Sequence, residues 1–388
     1  MALQITASKP RMVLDIPGYF PNAIQLKNGD LLVQTMWADD RRPKPHEYKE
    51  FYAFDGPTTE KDWMEFNDRR QQLHGDTYVH VLSSHWGRST DGGRTFTETG
   101  LPPVISYVQE DNGDVLALQW YTHWDAQGNP IIRSWRSHDN CHSWDAPYDI
   151  PVISPPFRTD GILVPHRRIL RVEGDTYLLL VYGKLDGDTQ YRSMVFRTLD
   201  AFRTLHYYAT IGTYEPGMEH AAGLTESDMV RTGDGRILCV IRNEGLCPMY
   251  QTFSSNNGAT WEPLRLFPDA GVDPALCRLD NGVVVCSYGR PGVKVAFSET
   301  GGINWQKRLT LLQRQIEVNG TEGIGTLPDP VHQRSCCYTE VVQTAPNVAT
   351  VFYSAPIDWS DDPEKYPWRP AFRKDFRIFA VDLTVERT

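Results

Sequence analysis

Glu226 and Arg242 stand sixteen residues apart, on either side of a turn at Gly233-Asp234-Gly235. Downstream, Tyr338 offers a phenol, and Arg290 stands just ahead of the apolar run Val293–Phe297. Upstream, Ala38-Asp39-Asp40-Arg41-Arg42 gathers acids and guanidiniums, and Asp76 ends His74-Gly75-Asp76. A phenol has a reference pKa of about 10 and is a weak nucleophile near neutral pH. A neighbouring carboxylate can accept its proton as it attacks. Guanidiniums hold anionic groups through forked, charge-assisted hydrogen bonds. Such chemistry requires residues spread from position 40 to position 338 to meet in space.

The elements that could bring them together repeat. Ser89-Thr90-Asp91-Gly92-Gly93-Arg94-Thr95-Phe96 reads as a tight turn between strands, with Asp91 bonding the backbone ahead of it and the glycines tolerating positive φ. Ser137–Trp144 has the same layout, Ser254–Trp261 repeats it with Asn256 for the Asp, Ser298–Trp305 is looser and Thr198–Leu205 is worn. The starts at 89, 137, 198, 254 and 298 mark one supersecondary unit every 44 to 61 residues, the signature of a propeller or solenoid. Between the boxes an apolar run, a Gly or Asn turn and a second apolar run recur six times, at 27–30, 112–114, 173–175, 233–235, 280–282 and 346–347. A third strand follows in units such as Ile131–Arg136, Arg192–Arg197, Pro248–Phe253 and Val293–Phe297, and the box turns the chain into a fourth. Four antiparallel strands in each of six units predict an all-β, six-bladed β-propeller. The last unit lacks a box; Phe376–Leu383 supplies its closing strand, and Met12–Asp15 pairs into it to close the ring. The expected organisation is a single domain over 1–388, with aromatic-rich insertions at 41–73 and 353–370.

The formal net charge of −10 argues against a general nucleic-acid binder, which needs a basic face. No run of about 18 apolar residues predicts a membrane span. Lys9 and Arg11 interrupt the start of the chain, so no signal peptide is read there and a cytoplasmic location is expected. The seven cysteines include no CxxC pair and read mostly as buried reduced thiols.

Boxes of this kind on a six-bladed propeller resemble the sialidase (neuraminidase) superfamily over nearly the whole chain. Thr225-Glu226-Ser227-Asp228-Met229-Val230, running to Ile241-Arg242-Asn243, is similar to the family segment in which a Glu opens an inner strand and an Arg ends the next. Tyr338-Thr339-Glu340-Val341-Val342 is similar to the segment carrying the family's nucleophilic Tyr. Arg290 falls where the family has another Arg, and Asp40 with Arg41 resembles the acidic-plus-Arg run after its first blade strands. The resemblance implies a retaining exo-glycoside hydrolase for a terminal sialic acid or related acidic sugar. In that scheme Tyr338 attacks, Glu226 takes its proton, Asp76 is acid/base with Asp39 or Asp40 behind it, and Arg242 and Arg290 clamp the sugar carboxylate. Sialic acids carry a carboxylate at the anomeric carbon that repels an anionic nucleophile, which is why tyrosine replaces the usual second carboxylate. The scheme needs no metal or organic cofactor; the expected partner is a glycan or glycoconjugate, and the oligomeric state is not legible.

One departure from the family concerns the Arg that normally precedes a Pro in its first strand; here the chain reads Gly18-Tyr19-Phe20-Pro21-Asn22. Arg41, Arg42, Arg167 and Arg168 are candidates to compensate. Two other classes stay open: a polysaccharide lyase working through His and Tyr, drawing on His80, His85, His123, His166 or His220, and a non-catalytic glycan-binding propeller. Trp37, Trp63, Trp120, Trp124, Trp359 and Trp368 could stack on sugars under any of the three.

Overall fold

The computed structural model describes residues 3–16, 18–36, 84–100, 106–119, 122–125, 127–157, 163–213, 223–243, 248–289, 292–312, 338–356 and 376–387. These residues form strands and turns, with no helix long and apolar enough to cross a membrane. Near the N-terminus lie β1 (Leu3–Ala7) and β2 (Arg11–Leu14). The first blade is β3 (Tyr19–Gln25), β4 (Leu31–Met36), β5 (Ser84–Ser89) and β6 (Thr97–Thr99). The second holds β7 (Ser106–Gln109), β8 (Val115–Leu118), the short β9 (His123–Trp124), β10 (Pro130–Ser137) and β11 (Tyr148–Ile153). The third is β12 (Val164–Glu173), β13 (Thr176–Gly183), β14 (Arg192–Thr198) and β15 (Leu205–Gly212). The fourth is β16 (Leu224–Arg231), β17 (Ile237–Asn243), β18 (Pro248–Ser254) and β19 (Arg265–Ala270). The fifth is β20 (Val272–Arg278), β21 (Val284–Gly289), β22 (Val293–Ser298) and β23 (Lys307–Leu312). The sixth is β24 (Thr339–Ala345), β25 (Val348–Pro356) and β26 (Phe376–Arg387).

Within each blade neighbouring strands pair antiparallel; in the second, both β8 and the short β9 pair with β10. A short parallel pairing, Val152 with Leu205 and Ile153 with His206, also links the outer strands of the second and third blades. The sixth blade is completed from the far end of the chain: β1 and β2 both pair antiparallel with β26. The expected closure at Met12–Asp15 is therefore made by β2, and β1 adds a pairing that the sequence reading had not assigned. Tyr353–Pro356, expected to begin an insertion, instead ends β25, paired residue for residue with Phe376–Phe379 of β26. The remaining residues of both expected insertions lie outside the described residues.

Among the described residues six apolar clusters, each lying between two neighbouring blades, are compatible with the six-blade count. Leu32 and Trp86 pack on Val115 and Trp135, Leu118 and Ile132 on Leu179 and Phe196, and Leu178 and Val195 on Met229 and Ile237. Val240 and Phe253 then pack on Leu276 and Tyr288, Val285 and Phe297 on Val351 and Leu383, and Phe352 and Ile378 on Val33. The inner and middle strands of a blade are covered on both faces, so they read as continuous apolar runs such as Ile237–Ile241. Each fully buried Leu, Val or Phe contributes roughly 1.5–3 kcal/mol.

The boxes set the spacing of this stack. The Ser89 hydroxyl accepts the Gly93 N–H at 2.8 Å, while Asp91 accepts the N–H groups of Arg94 and Thr95 at 3.0 Å and the Thr95 hydroxyl at 2.6 Å. Asp139 and Asp200 repeat the pattern, Asn256 keeps it with an amide, and in the loose copy the Thr300 hydroxyl accepts the Asn304 N–H at 2.9 Å. The side chain that ends each box, Phe96, Trp144, Leu205, Trp261 or Trp305, packs into the cluster shared with the preceding blade. At Gly302, φ is +93° and a Cβ would stand 2.5 Å from Leu238 of the neighbouring blade, so both backbone angle and packing call for glycine.

Candidate active site at the inner strand ends

The inner strands β3, β12, β16 and β20 begin with the same irregularity. Pairing with the next strand holds at Tyr19, His166, Leu224 and Val272, skips two residues, and resumes at Asn22, Ile169, Ser227 and Ala275. The skipped pairs are Phe20-Pro21, Arg167-Arg168, Thr225-Glu226 and Asp273-Pro274. A bulge frees its residues from the ladder and re-aims their side chains. Phe20, Arg167 and Asp273 accordingly hold left-handed backbone angles, with φ of 56°, 57° and 53°. Such angles are costly for residues other than glycine and persist only where the surroundings enforce them.

These residues meet in a buried polar network. Arg167, 4% exposed, pairs with Glu340 Oε2 at 3.0 Å and with Asp273, and donates to the Asp273 and Thr339 carbonyls. Arg168 reaches Glu340 Oε1 at 3.2 Å and Asp228 Oδ2 at 3.5 Å. Arg242 Nη1 pairs with Glu226 Oε2 at 2.8 Å, and that oxygen also accepts the Asp273 N–H at 2.9 Å. Glu226 Oε1 accepts no hydrogen bond from a described residue. Asp228 accepts the Met229 and Leu276 N–H groups at 2.9 and 2.7 Å. His166 contacts the Ser227 backbone through Nδ1 and stands 3.3 Å from Asp273 through Nε2. Burial pushes the Glu340 carboxyl above its ordinary range, against the pull of Arg167 and Arg168. Burial alone would lower the pKa of both arginines; the carboxylates around them outweigh it and the net shift is upward.

Tyr338 immediately precedes β24, 7% exposed, with its N–H on the Ser354 hydroxyl at 3.2 Å. Its ring stacks on Phe20 with centroids 3.7 Å apart and planes 28° from parallel. Contacts thus run from Phe20 in the first blade through Tyr338, Thr339 and Glu340 in the sixth to Arg167 in the third. They continue through Asp273 in the fifth to Glu226 and Arg242 in the fourth.

Of the residues expected from the sequence, Glu226, Arg242 and Tyr338 come to this one end of the ring. Glu226 and Arg242 pair directly; no hydrogen bond joins Tyr338 to Glu226. Asp76, Arg290, Arg41 and Asp40 lie outside the described residues, as do Asp39 and Arg42. Arg167 and Arg168, candidates to replace the missing guanidinium near Pro21, are engaged with Asp273, Glu340 and Asp228. The position before Pro21 is filled by the Phe20 ring on Tyr338. Of the histidines proposed for a lyase, His166 is buried at 1% exposure and His85 is on the third strand of its blade, 2.6 Å from Glu98. His80 and His220 lie outside the described residues, and of His123 only the backbone is described, in β9.

The sequence reading missed Asp273, Glu340, Asp228 and Phe20 as members of the cluster. The available signal was the recurrence of a side chain before Pro at the head of an inner strand, in Phe20-Pro21 and Asp273-Pro274. Cys141, Cys239, Cys277 and Cys286 are free and buried, as expected; burial holds the Cys277 thiol up at about 11. Among the described residues no group of three or more His, Cys, Asp or Glu is arranged to hold a metal ion.

The protein resembles several solved structures at low identity. A protein of unknown function from Dyadobacter fermentans shares 15% identity at a TM-score of 0.64, over 98% of this chain and 99% of that one. A Penicillium chrysogenum α-L-arabinanase complexed with arabinobiose shares 14% at 0.57, over 97% and 98%. A Hadza microbial sialidase shares 14% at 0.53, over 86% and 63%. These likenesses show a common β-propeller fold. No curated protein matches by sequence. The BNR repeat-like domain pattern matches residues 93–351, well over half the sequence and a span that includes all five boxes except the first four residues of the first. The chain belongs to the BNR repeat-like domain family.

Proposed function

We propose that this protein is a glycoside hydrolase that removes a terminal sugar from a glycan with retention of anomeric configuration, at the inner strand ends where Glu226, Arg242 and Tyr338 converge. The observation that carries the reading is the pairing of Glu226 with Arg242 and the Asp273 N–H through one oxygen. The carboxylate is held in one orientation and its Oε1 remains to work. In the sialidase-like scheme Tyr338 attacks the anomeric carbon and Glu226 takes the phenolic proton. A separate acid protonates the leaving oxygen, and Asp76 is the candidate. Arg242 and Arg290 orient the sugar; the resemblance assigns them an acidic sugar such as sialic acid. The missing hydrogen bond between Tyr338 and Glu226 favours a second version in which Glu226 Oε1 is itself the nucleophile, the two-carboxylate arrangement of most glycosidases.

Hydrolysis of a panel of aryl glycosides, with the first-formed anomer followed by NMR, tests the reading. Retention, with loss of turnover in Glu226→Gln and in Tyr338→Phe, supports the tyrosine scheme. Loss in Glu226→Gln alone supports the carboxylate nucleophile. Folded variants that both turn over like the parent overturn the site assignment. Absorbance from an unsaturated uronate, without hydrolysis, selects the lyase; binding without any turnover selects the silent propeller.

A further inference from the structure

The charges around Glu226 bear on which sugar the site accepts. Among the described residues of the network, three guanidiniums (Arg167, Arg168, Arg242) face four carboxylates (Glu226, Asp228, Asp273, Glu340). Every one of these guanidiniums is already paired with an acid, and Arg167 and Arg242 are at least nine-tenths buried. A sugar carboxylate arriving here would add a fifth anion to the four carboxylates of the described residues, and drawing Arg242 onto it would strip Glu226 of its cation. Buried carboxylates left without a partner are strongly disfavoured.

The second observation is steric and apolar. The bulge at the head of β3 turns Phe20, at φ 56°, onto Tyr338, so two stacked rings lie on the first- and sixth-blade side of the network. An aromatic face suits the C–H face of a sugar, and the Phe20 ring, standing where a guanidinium would precede Pro21, offers an anion no hydrogen bond. We propose that the sugar bound at these strand ends is uncharged, a neutral pentose or hexose, and that Phe20 is a specificity-determining residue that selects it over sialic and uronic acids. This rests on the reading of the site as a glycan-binding one.

The test uses the full chain and two readouts. Isothermal titration with free neutral sugars (arabinose, xylose, galactose) is set against sialic, glucuronic and galacturonic acids, and hydrolysis of the matching aryl glycosides is followed in parallel. The expected result is at least a tenfold preference for a neutral sugar in binding and in kcat/KM. Phe20→Arg is expected to narrow or reverse that preference, while Phe20→Leu weakens neutral-sugar binding and keeps its direction. Phe20→Leu keeps the question answerable if the Arg variant does not fold. A tenfold preference for an acidic sugar, or no preference, overturns the substrate inference and leaves the hydrolase reading standing. Neutral-sugar binding without hydrolysis overturns the hydrolase reading and keeps the inference. Neither binding nor hydrolysis of any member overturns both.

Discussion

Arg242 Nη1 stands 2.8 Å from Glu226 Oε2, an oxygen shared with the backbone N–H of Asp273 from the next blade. One carboxylate is thereby fixed by its own hairpin and by its neighbour. Arg242→Met leaves Glu226 buried without its cation, and breaking a buried pair in this way costs about 3–5 kcal/mol. Glu226→Gln retains an oxygen for the Asp273 N–H. It is therefore expected to destabilise less than Arg242→Met in urea unfolding while lowering turnover by about 10²–10⁴-fold. Equal stability losses with unchanged turnover would make the pair structural.

Arg167 joins the third, fifth and sixth blades through Asp273, Thr339 and Glu340. Arg167→Met is expected to cost about 3–5 kcal/mol. The loss should depend on pH with a definite sign. The Glu340 pKa is already raised by burial, so its contribution to stability is present in acid and falls as pH rises above the ordinary carboxylate value. Removing the cation extends that effect. The gap between variant and parent should thus be smaller near about pH 5 than near pH 8 in urea melts at the two values. A constant gap would mean that Glu340 does not feel the change.

The boxes predict the opposite slope. Hydrogen bonds from Thr95 and Ser143 hold the Asp91 and Asp139 carboxyls well below their usual range. A depressed carboxylate contributes stability above its unfolded pKa and loses it as pH falls through the folded one. Asp91→Ala or Asp139→Ala should lower Tm at neutral pH and flatten its fall in acid. Asn256→Ala, at the box that bonds Thr260 through an amide, should lower Tm equally at both pH values. Thermal melts across an acid series check both.

Ring closure is the fourth prediction. Arg11 grips Asp382 through two hydrogen bonds of 2.8 and 3.0 Å, and β1 and β2 complete the sheet beside β26. Removing residues 1–14 uncovers that edge and the buried Leu383 and Val385. The shortened protein should melt at lower temperature and bind an apolar dye that the parent does not. An unchanged melting curve would show that β24 to β26 suffice to close the ring.

Much of this architecture was legible in the residues themselves. The boxes, the hairpin turns and the third strands follow from local rules: side chains that bond their own turn, residues that tolerate positive φ, and unbroken apolar runs. The offset of Glu226 and Arg242 fitted the hairpin that the resemblance implies, whereas their direct pairing at 2.8 Å was not foreseen. The tertiary structure decided which charges are already matched. Arg167, Arg168, Asp273, Asp228 and Glu340 come from three strands besides the one bearing Glu226, or from parts of it the spacing did not single out, and a bulge signalled only by Pro21 and Pro274 in two of the four strands turns several of them inward. Whether Phe20 was one more core aromatic or the ring stacked on Tyr338 likewise rested on that bulge. Local chemistry determined the blades, whereas the balance of charge at their inner ends arises only when distant strands meet in a medium where every buried charge requires a partner.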